Sequence, residues 1–506
     1  KIRKVDGYWN YDKSEFGAKS KLLDNDEEIA ETDEDNNKIV HEYTTYSDSL
    51  ADLRHVEGEN TGTNVGILAQ ELFPGGIDAS PKDYTKYFES FKYTQQLIDE
   101  GVEIIYEAGF CFDYVRCFID ILVKENGKWH AYEVKSSTKV SETYIIDASL
   151  QYYIMKNSGL DIADISIIHI DNSYVRDGEI DLHQLFHSVS VIDKAKNHND
   201  YVKNKLIYLH DILAKDSAPD IDIGEHCSSP YDCNFKGHCW KHIPQYSIFD
   251  ISRLNKEIKW SLYKGRYIDI KDIPIDTKLS NNQKIEIDSY INQTEIIHKI
   301  KIREFVSSLS NNIYHLDFET YQSAVPLFNG LKPYQQIPFQ YSAHYENNGT
   351  IEHYEFLADP SNDPRESFVK ALINDMNKDG DILVYNIGFE RGRLKELIRI
   401  FPKYQSHLQS IIDRMKDLMI PFKEKWYYTP DMKGSYSIKY VLPALVPSLS
   451  YDNLEINNGS LASSTFANLH NISDLDQIDK TRKNLLEYCK LDTEAMVRIL
   501  QVLRSV

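Results

Sequence analysis

Apolar and polar positions change period along this chain in a way that separates strands from helices. Between about residues 60 and 185, short runs rich in β-branched and aromatic residues (YEAGFCF, CFIDILVK and WHAYEVKSS) predict three strands, after helical spacing in VGILAQELF. A helix over Ala148–Ser158 and a strand at ISIIHI complete a β-β-β-α-β order, which predicts a compact α/β unit. Residues 246–308 show helical spacing interrupted by IDIKDIPID and read as a helical connector. A second α/β unit opens with the strand NIYHLDFETY and adds a strand at DILVYN. It continues with a helix from Glu390 to Phe401 and closes with one from Thr481 to Arg504. The expected division is 1–245, 246–308 and 309–506. Residues 24–38 (DNDEEIAETDEDNNK) offer almost nothing to bury and read as a solvated loop.

Composition narrows the function classes. The chain has 506 residues, 42% hydrophobic and 27% charged, the balance of a globular protein of several domains. No apolar run approaches the ~20 residues of a membrane span, and KIRKVDGYWN is not a signal peptide. A cytoplasmic location without a membrane partner is expected. Lys and Arg number 57 against 78 Asp and Glu, a net charge of −21, which excludes a general basic coat for nucleic acid. A local groove, or a carboxylate cluster holding Mg²⁺ or Mn²⁺, stays open. Six cysteines are too few for a disulfide framework.

A first constellation lies in the N-terminal unit. Asp120 interrupts the apolar run CFIDILV, where a carboxylate is costly unless paired or bound to a cation. Glu133 and Lys135, two apart in AYEVKSS, share one strand face, and the turn KENGKW brings that strand back beside Asp120. Two carboxylates could hold a divalent ion while the lysine orients the attacking water; a salt-bridged hairpin is the plain alternative. The segment resembles the active site of PD-(D/E)XK nucleases. Glu107 is a candidate third ligand, and Gln151 matches a glutamine that RecB-type members carry on the following helix. The resemblance is partial: Met155 stands where a tyrosine is expected, with Tyr152 and Tyr153 nearby, and NVGILAQELF lacks an upstream histidine.

Cys227, Cys233 and Cys239 follow at C-x5-C-x5-C in HCSSPYDCNFKGHCW, a loop-forming segment whose thiols suit ligation of an ion or cluster. RecB/AddB-type nucleases often end in three such cysteines, which with one N-terminal cysteine bind a [4Fe–4S] cluster. The chain begins with Lys1 rather than Met, so a fourth cysteine is expected upstream. Zn²⁺, with His226, His238 or His242 as fourth ligand, is the alternative.

A second constellation lies in the C-terminal unit. Asp317 and Glu319 share one face of the strand in HLDFETY. Asn386, Phe389 and Glu390 keep an N-x-x-F-D spacing with Glu for Asp, and Tyr488 and Asp492 stand at i, i+4 on a helix. These motifs resemble the DEDD exonucleases of the RNase H-like class, in the Y-x-x-x-D subtype. The resemblance implies that Asp317, Glu319 and Asp492 hold two metal ions with Glu390 helping, and that Tyr488 positions the attacking water. Asp413 fits no slot and reads as a helix-surface charge. With PLFNGLKPYQQIPFQYSAHY, the chain resembles a bacterial family in which an RNase H-like domain of unknown function follows a RecB-like nuclease domain.

Basic residues gather near the second site: Arg391, Arg393, Lys395, Arg399 and Lys403, then Lys423, Lys425 and Lys433 among Trp426, Tyr427 and Tyr428. Such interleaving suits a groove that tracks a strand, or equally a solvated helix face beside a buried aromatic corner. Lys299, Lys301 and Arg303 read as ordinary surface. The expectation is an α/β protein with a restriction-endonuclease-like PD-(D/E)XK domain and an RNase H-like domain joined by a helical connector. Its expected activity is metal-dependent DNA hydrolysis, 3′–5′ in the second domain, serving DNA processing, repair or defence. The alternatives are an RNA exonuclease, or a nucleic-acid-binding scaffold with one or both sites decayed.

Overall fold

The computed structural model describes residues 62–81 and 86–506, and the backbone of a hairpin pairing Ile2–Val5 with Tyr8–Tyr11. The acidic block at 24–38 lies outside the described residues. Among those described, no helix is long and apolar enough to cross a membrane. The protein is mixed α/β and forms two compact units, Lys1–Asp222 with Ala324–Pro333, and Ile223–Ser323 with Tyr334–Val506.

The first unit carries a six-stranded mixed sheet. In chain order, which is also sheet order, its strands are β1 (Ile77–Asp78), β2 (Ile104–Phe112), β3 (Val115–Glu125), β4 (Lys128–Lys135), β5 (Ile162–Ile170) and β6 (Phe186–Ser190). Strands β1–β2 and β4–β5 pair parallel and the others antiparallel. Asn126 and Gly127, both at positive φ, close the β3–β4 hairpin, as an Asn-Gly pair between alternating strands is suited to do. Helix α1 (Glu142–Asn157) buries Ile145, Ala148, Tyr152 and Met155 in the same core as Ile119, Ala131 and Ile165. It begins six residues before the expected start, because the Ser141 side chain accepts the Tyr144 N–H and caps its first turn.

The second unit's five-stranded sheet has β7 (Ile313–Tyr321) at its centre. On one side β8 (Ile337–Asn347) and then β9 (Thr350–Leu357) pair antiparallel; on the other β10 (Asp381–Val384) and β11 (Met415–Asp417) run parallel. Strands β8, β9 and β11 were not expected: β8 is buried on both faces along most of its length, so its sequence has no alternation to read. Helix α2 (Ile387–Ile400) follows β10, α3 (Ile438–Leu445) comes later, and α4 (Leu475–Arg504) packs against β7 and β8. Helix α4 starts earlier than Thr481 because Asp474 accepts the N–H groups of Asp476 and Gln477.

The segment expected to be a connector is part of this unit. Tyr246, Ile248, Ile251, Leu254, Leu262, Ile270 and Ile287 form a core of their own, and Ile296–Ile297 pairs with Tyr427–Tyr428. Residues 223–245, expected to close the first domain, also belong to the second unit.

Candidate functional site

Strand β7 presents Asp317 and Glu319 on one face, since they are two residues apart. A register shift after Glu319 bends the strand where it pairs with β8. Three polar residues of β8 peg α4 across that face. Gln340 Nε2 donates to the Leu485 carbonyl at 2.7 Å, while Ser342 Oγ and His344 Nδ1 lie 2.7 and 2.8 Å from Thr493 Oγ1. This fixes the rotation of α4, so Tyr488 and Asp492 face the acids of β7. One ligand atom each from Asp317, Glu319 and Asp492 lies within 4.8 Å of the other two, close enough to share a cation.

Glu390 enters from the first turn of α2 and is 2% exposed, with its Oε2 lacking a hydrogen-bond partner. The start of α2 is set by Asn386 at φ 79° and by Asp417, at the end of β11, which accepts the N–H groups of Asn386 and Ile387 at 3.1 and 3.3 Å. Burial pushes the Glu390 carboxyl up to about 8, with the negative charge of Asp417 adding to it. Burial likewise raises Asp317 well above the carboxylate range, reinforced by Asp492, Glu319 and Glu390. Glu319 rises through burial and Asp492, against the opposing charge of Lys439. Asp492 moves up to about 6 through burial, held back by hydrogen bonds from Tyr451 and Tyr488 and by Lys439. Three converging carboxylates, with Glu390 and its orphaned oxygen nearby and all four charged forms disfavoured, form a donor set that fits a divalent cation.

In the first unit, β3 and β4 pair up to Ile121 opposite Tyr132, and the next step of that register sets Asp120 beside Glu133. Asp120 Oδ2 accepts the Val134 N–H at 2.5 Å. Lys135 Nζ bridges Glu133 Oε1 at 2.7 Å and Asp147 Oδ2 at 2.8 Å, and Gln151 Nε2 donates to Glu133 Oε2 at 2.7 Å. Glu107, at φ 52°, lies between the Tyr106–Ile121 and Ala108–Ile119 pairs of β2 and β3, and burial with the charges of Asp78 and Glu133 pushes it up to about 7. Among the described residues, Glu107, Asp120 and Glu133 do not converge as the second-unit acids do. Both oxygens of Glu133 are already engaged.

The three cysteines lie in one segment of the second unit. Cys227 is buried, Cys233 and Cys239 are half-buried, and His242 is turned toward the Cys239 carbonyl and the Tyr263 hydroxyl. Among the described residues, no three ligand atoms of these cysteines and their neighbouring histidines lie within 4.8 Å of one another. The Cys233 N–H bonds the Cys227 carbonyl at 2.9 Å, and the Gly224 N–H points to Cys227 Sγ at 3.5 Å.

The basic set divides. Lys395 and Arg399 are exposed, whereas Arg393 is tied to Gln336 and Glu396, and Lys403 pairs with Glu366. Arg391 is half-buried with its Nε unpartnered. Lys425 is a correction: it is 2% exposed, 3.6 Å from buried Glu286 and over the Tyr428 ring, and it donates to the Gly434 carbonyl. Tyr427 and Tyr428 are buried too, and Trp426 is half-buried, so this corner is core. Asp413 is an exposed helix-end charge bonded by Gln409. Sequence reasoning missed Asp417, Lys439, Tyr451 and Asp147, which belong to no motif and reach their sites only through tertiary packing.

Residues 314–437 match a domain of unknown function (DUF2779), a span that holds Asp317, Glu319 and Glu390 but not Tyr488 or Asp492. The chain is 26% identical over 293 residues to the uncharacterized protein UU173 of Ureaplasma parvum, covering 51% of this chain and 41% of that protein. It is 29% identical over 219 residues to the uncharacterized protein MG366 homolog of Mycoplasma pneumoniae, covering 39% and 33%. The uncharacterized protein MG366 of Mycoplasma genitalium is 25% identical over 290 residues, covering 50% and 43%. The chain thus spans less than half the length of these relatives. No solved structure matches it.

Proposed function

We propose that the protein is a metal-dependent phosphodiester hydrolase whose chemistry resides in the second unit, with DNA as substrate. The observation that carries this reading is the convergence of Asp317, Glu319 and Asp492, with the buried Glu390 near enough for its charge to act on Asp317 and Glu319. The acids sit on a central strand, at a helix start after the next parallel strand, and on the last helix, an order that resembles that of DEDD-type exonucleases and supports the reading. Bound Mg²⁺ or Mn²⁺ would supply Lewis-acid activation of water and charge neutralisation at phosphorus. Tyr488 is 4% exposed, with its hydroxyl 3.8 Å from where a Cβ on Gly459 would stand, so it can orient a water only inside the acid cluster. Lys439, exposed and near enough to act on Glu319 and Asp492, can meet a phosphate oxygen.

In the first unit, Asp120, Glu133 and Lys135 keep the PD-(D/E)XK pattern, but its acids do not converge and both Glu133 oxygens are engaged, so we assign the cleavage to the second unit. Lys135 is already neutralised by two carboxylates. The reading is tested by cleavage of end-labelled single- and double-stranded DNA and RNA with Mg²⁺ or Mn²⁺. Asp317→Ala should slow release of products from the 3′ end on the order of 100-fold or more, with Asp120→Ala close to wild type. Loss in Asp120→Ala alone would move the chemistry to the first unit. Binding without cleavage of any substrate would favour a scaffold.

A further inference from the structure

Tyr451 lies 41 residues before Asp492, yet its hydroxyl donates to Asp492 Oδ1 at 2.6 Å, with both side chains buried. Its ring stands 6.2 Å from that of Tyr488, so two tyrosines flank one carboxylate. The segment carrying it is held locally: Ser450 Oγ donates to Asp452 Oδ2, the Leu454 N–H to the Tyr451 carbonyl, and Lys439 Nζ to the Asn457 carbonyl. A carboxylate can meet a cation with one oxygen or both. A short hydrogen bond from an immobilised phenol occupies one of them and restrains the rotation of the group.

We propose that Tyr451 is a positioning residue of the metal centre. Its hydroxyl pins one oxygen of Asp492, making that side chain a single-oxygen ligand directed at Asp317 and Glu319. Tyr488, whose hydroxyl also bonds Asp492, lies on the Gly459 side near Glu319, where its second hydrogen-bonding direction can meet water or substrate. The inference rests on the metal-dependent nuclease reading and goes beyond it, since Tyr451 belongs to none of the motifs that suggested that activity.

The test is Mn²⁺ titration of the full chain, read by electron paramagnetic resonance of the free ion, with thermal unfolding in chelator alongside. Wild type, Tyr451→Phe, Asp492→Asn and the double variant are compared. Tyr451→Phe keeps the ring and removes the charge-assisted hydrogen bond, so Mn²⁺ binding should weaken about tenfold. The Mn²⁺ concentration needed for half-maximal cleavage should rise by the same factor, with kcat at saturating Mn²⁺ nearly unchanged. In the Asp492→Asn background, Tyr451→Phe should have no further effect on Mn²⁺ affinity. Unchanged or tighter Mn²⁺ binding by Tyr451→Phe would overturn the inference while leaving the nuclease reading intact, whatever happens to the melting temperature. If Tyr451→Phe does not fold, Tyr451→Leu is read in the same way. A wild type that binds no Mn²⁺ removes the nuclease reading and this inference with it.

Discussion

Residue identity alone does not say whether a charge meets solvent, and Lys425 makes the point. In the sequence it stands among lysines and aromatics that suit a nucleic-acid groove; in the fold it is sealed against Glu286, Tyr428 and Gly434. Glu286 is fully buried and also accepts from Tyr246 and Ser252, so removing the lysine leaves a buried carboxylate short of its counter-charge. Lys425→Met should therefore lower unfolding free energy by about 3–5 kcal/mol, measured in urea, without changing the DNA affinity of the folded protein. Lys395→Ala should do the opposite, weakening DNA binding measured by anisotropy and leaving stability within about 0.5 kcal/mol. Equal stability of Lys425→Met and wild type would contradict the buried-pair account.

At the scale of elements, the site depends on how helix ends and strand ends meet. The α2 N-terminus lacks a side-chain cap of its own; Asp417 supplies acceptors for Asn386 and Ile387 from the end of β11. One carboxylate thereby joins β11 to the helix that carries Glu390 and raises the pKa of that residue. Asp417→Ala should cost about 1–2 kcal/mol in urea unfolding, the range of a lost helix cap. It should also lower the apparent pKa of Glu390, because a like charge is gone; a loss of stability without that shift would confine Asp417 to capping. Helices α1 and α4 were legible in their interiors but not at their starts, where Ser141 and Asp474 act through hydrogen bonds that apolar periodicity does not report.

For the whole molecule, the raised carboxyls set a pH dependence. In the unfolded chain these groups titrate near pH 4. Folded, Asp492 moves to about 6, Glu390 to about 8 and, in the first unit, Glu107 to about 7. Through these groups the folded state binds more protons than the unfolded state between about pH 4 and pH 8, so they lower stability as pH rises. His315, His344 and His353, which burial keeps neutral, oppose this near pH 6 but are outnumbered by the raised carboxyls. The metal-free protein should melt several degrees lower at pH 8.5 than at pH 5.5. Mn²⁺ should raise the melting temperature more at pH 8 than at pH 6, since binding requires the ionised carboxylates and stabilises only the folded chain. A metal-free melting temperature that climbs over this range would count against the crowded-acid description.

What the sequence determined by itself is whatever short-range geometry dictates. Residues two apart on a strand share a face, so Asp317 with Glu319 and Glu133 with Lys135 were legible, as were the Asn-Gly turn that returns β4 to Asp120 and the i, i+4 pairing of Tyr488 with Asp492. Tertiary structure decided what depends on distant segments packing together. It brought Tyr451 and Lys439 to the acid cluster and Asp417 to α2, and sent Lys425 into the core. It also placed residues 246–308 in the second unit, because their apolar side chains have a core there. The physical reason is the same throughout: backbone periodicity is local, whereas burial and the pairing of charges belong to contacts made across the chain.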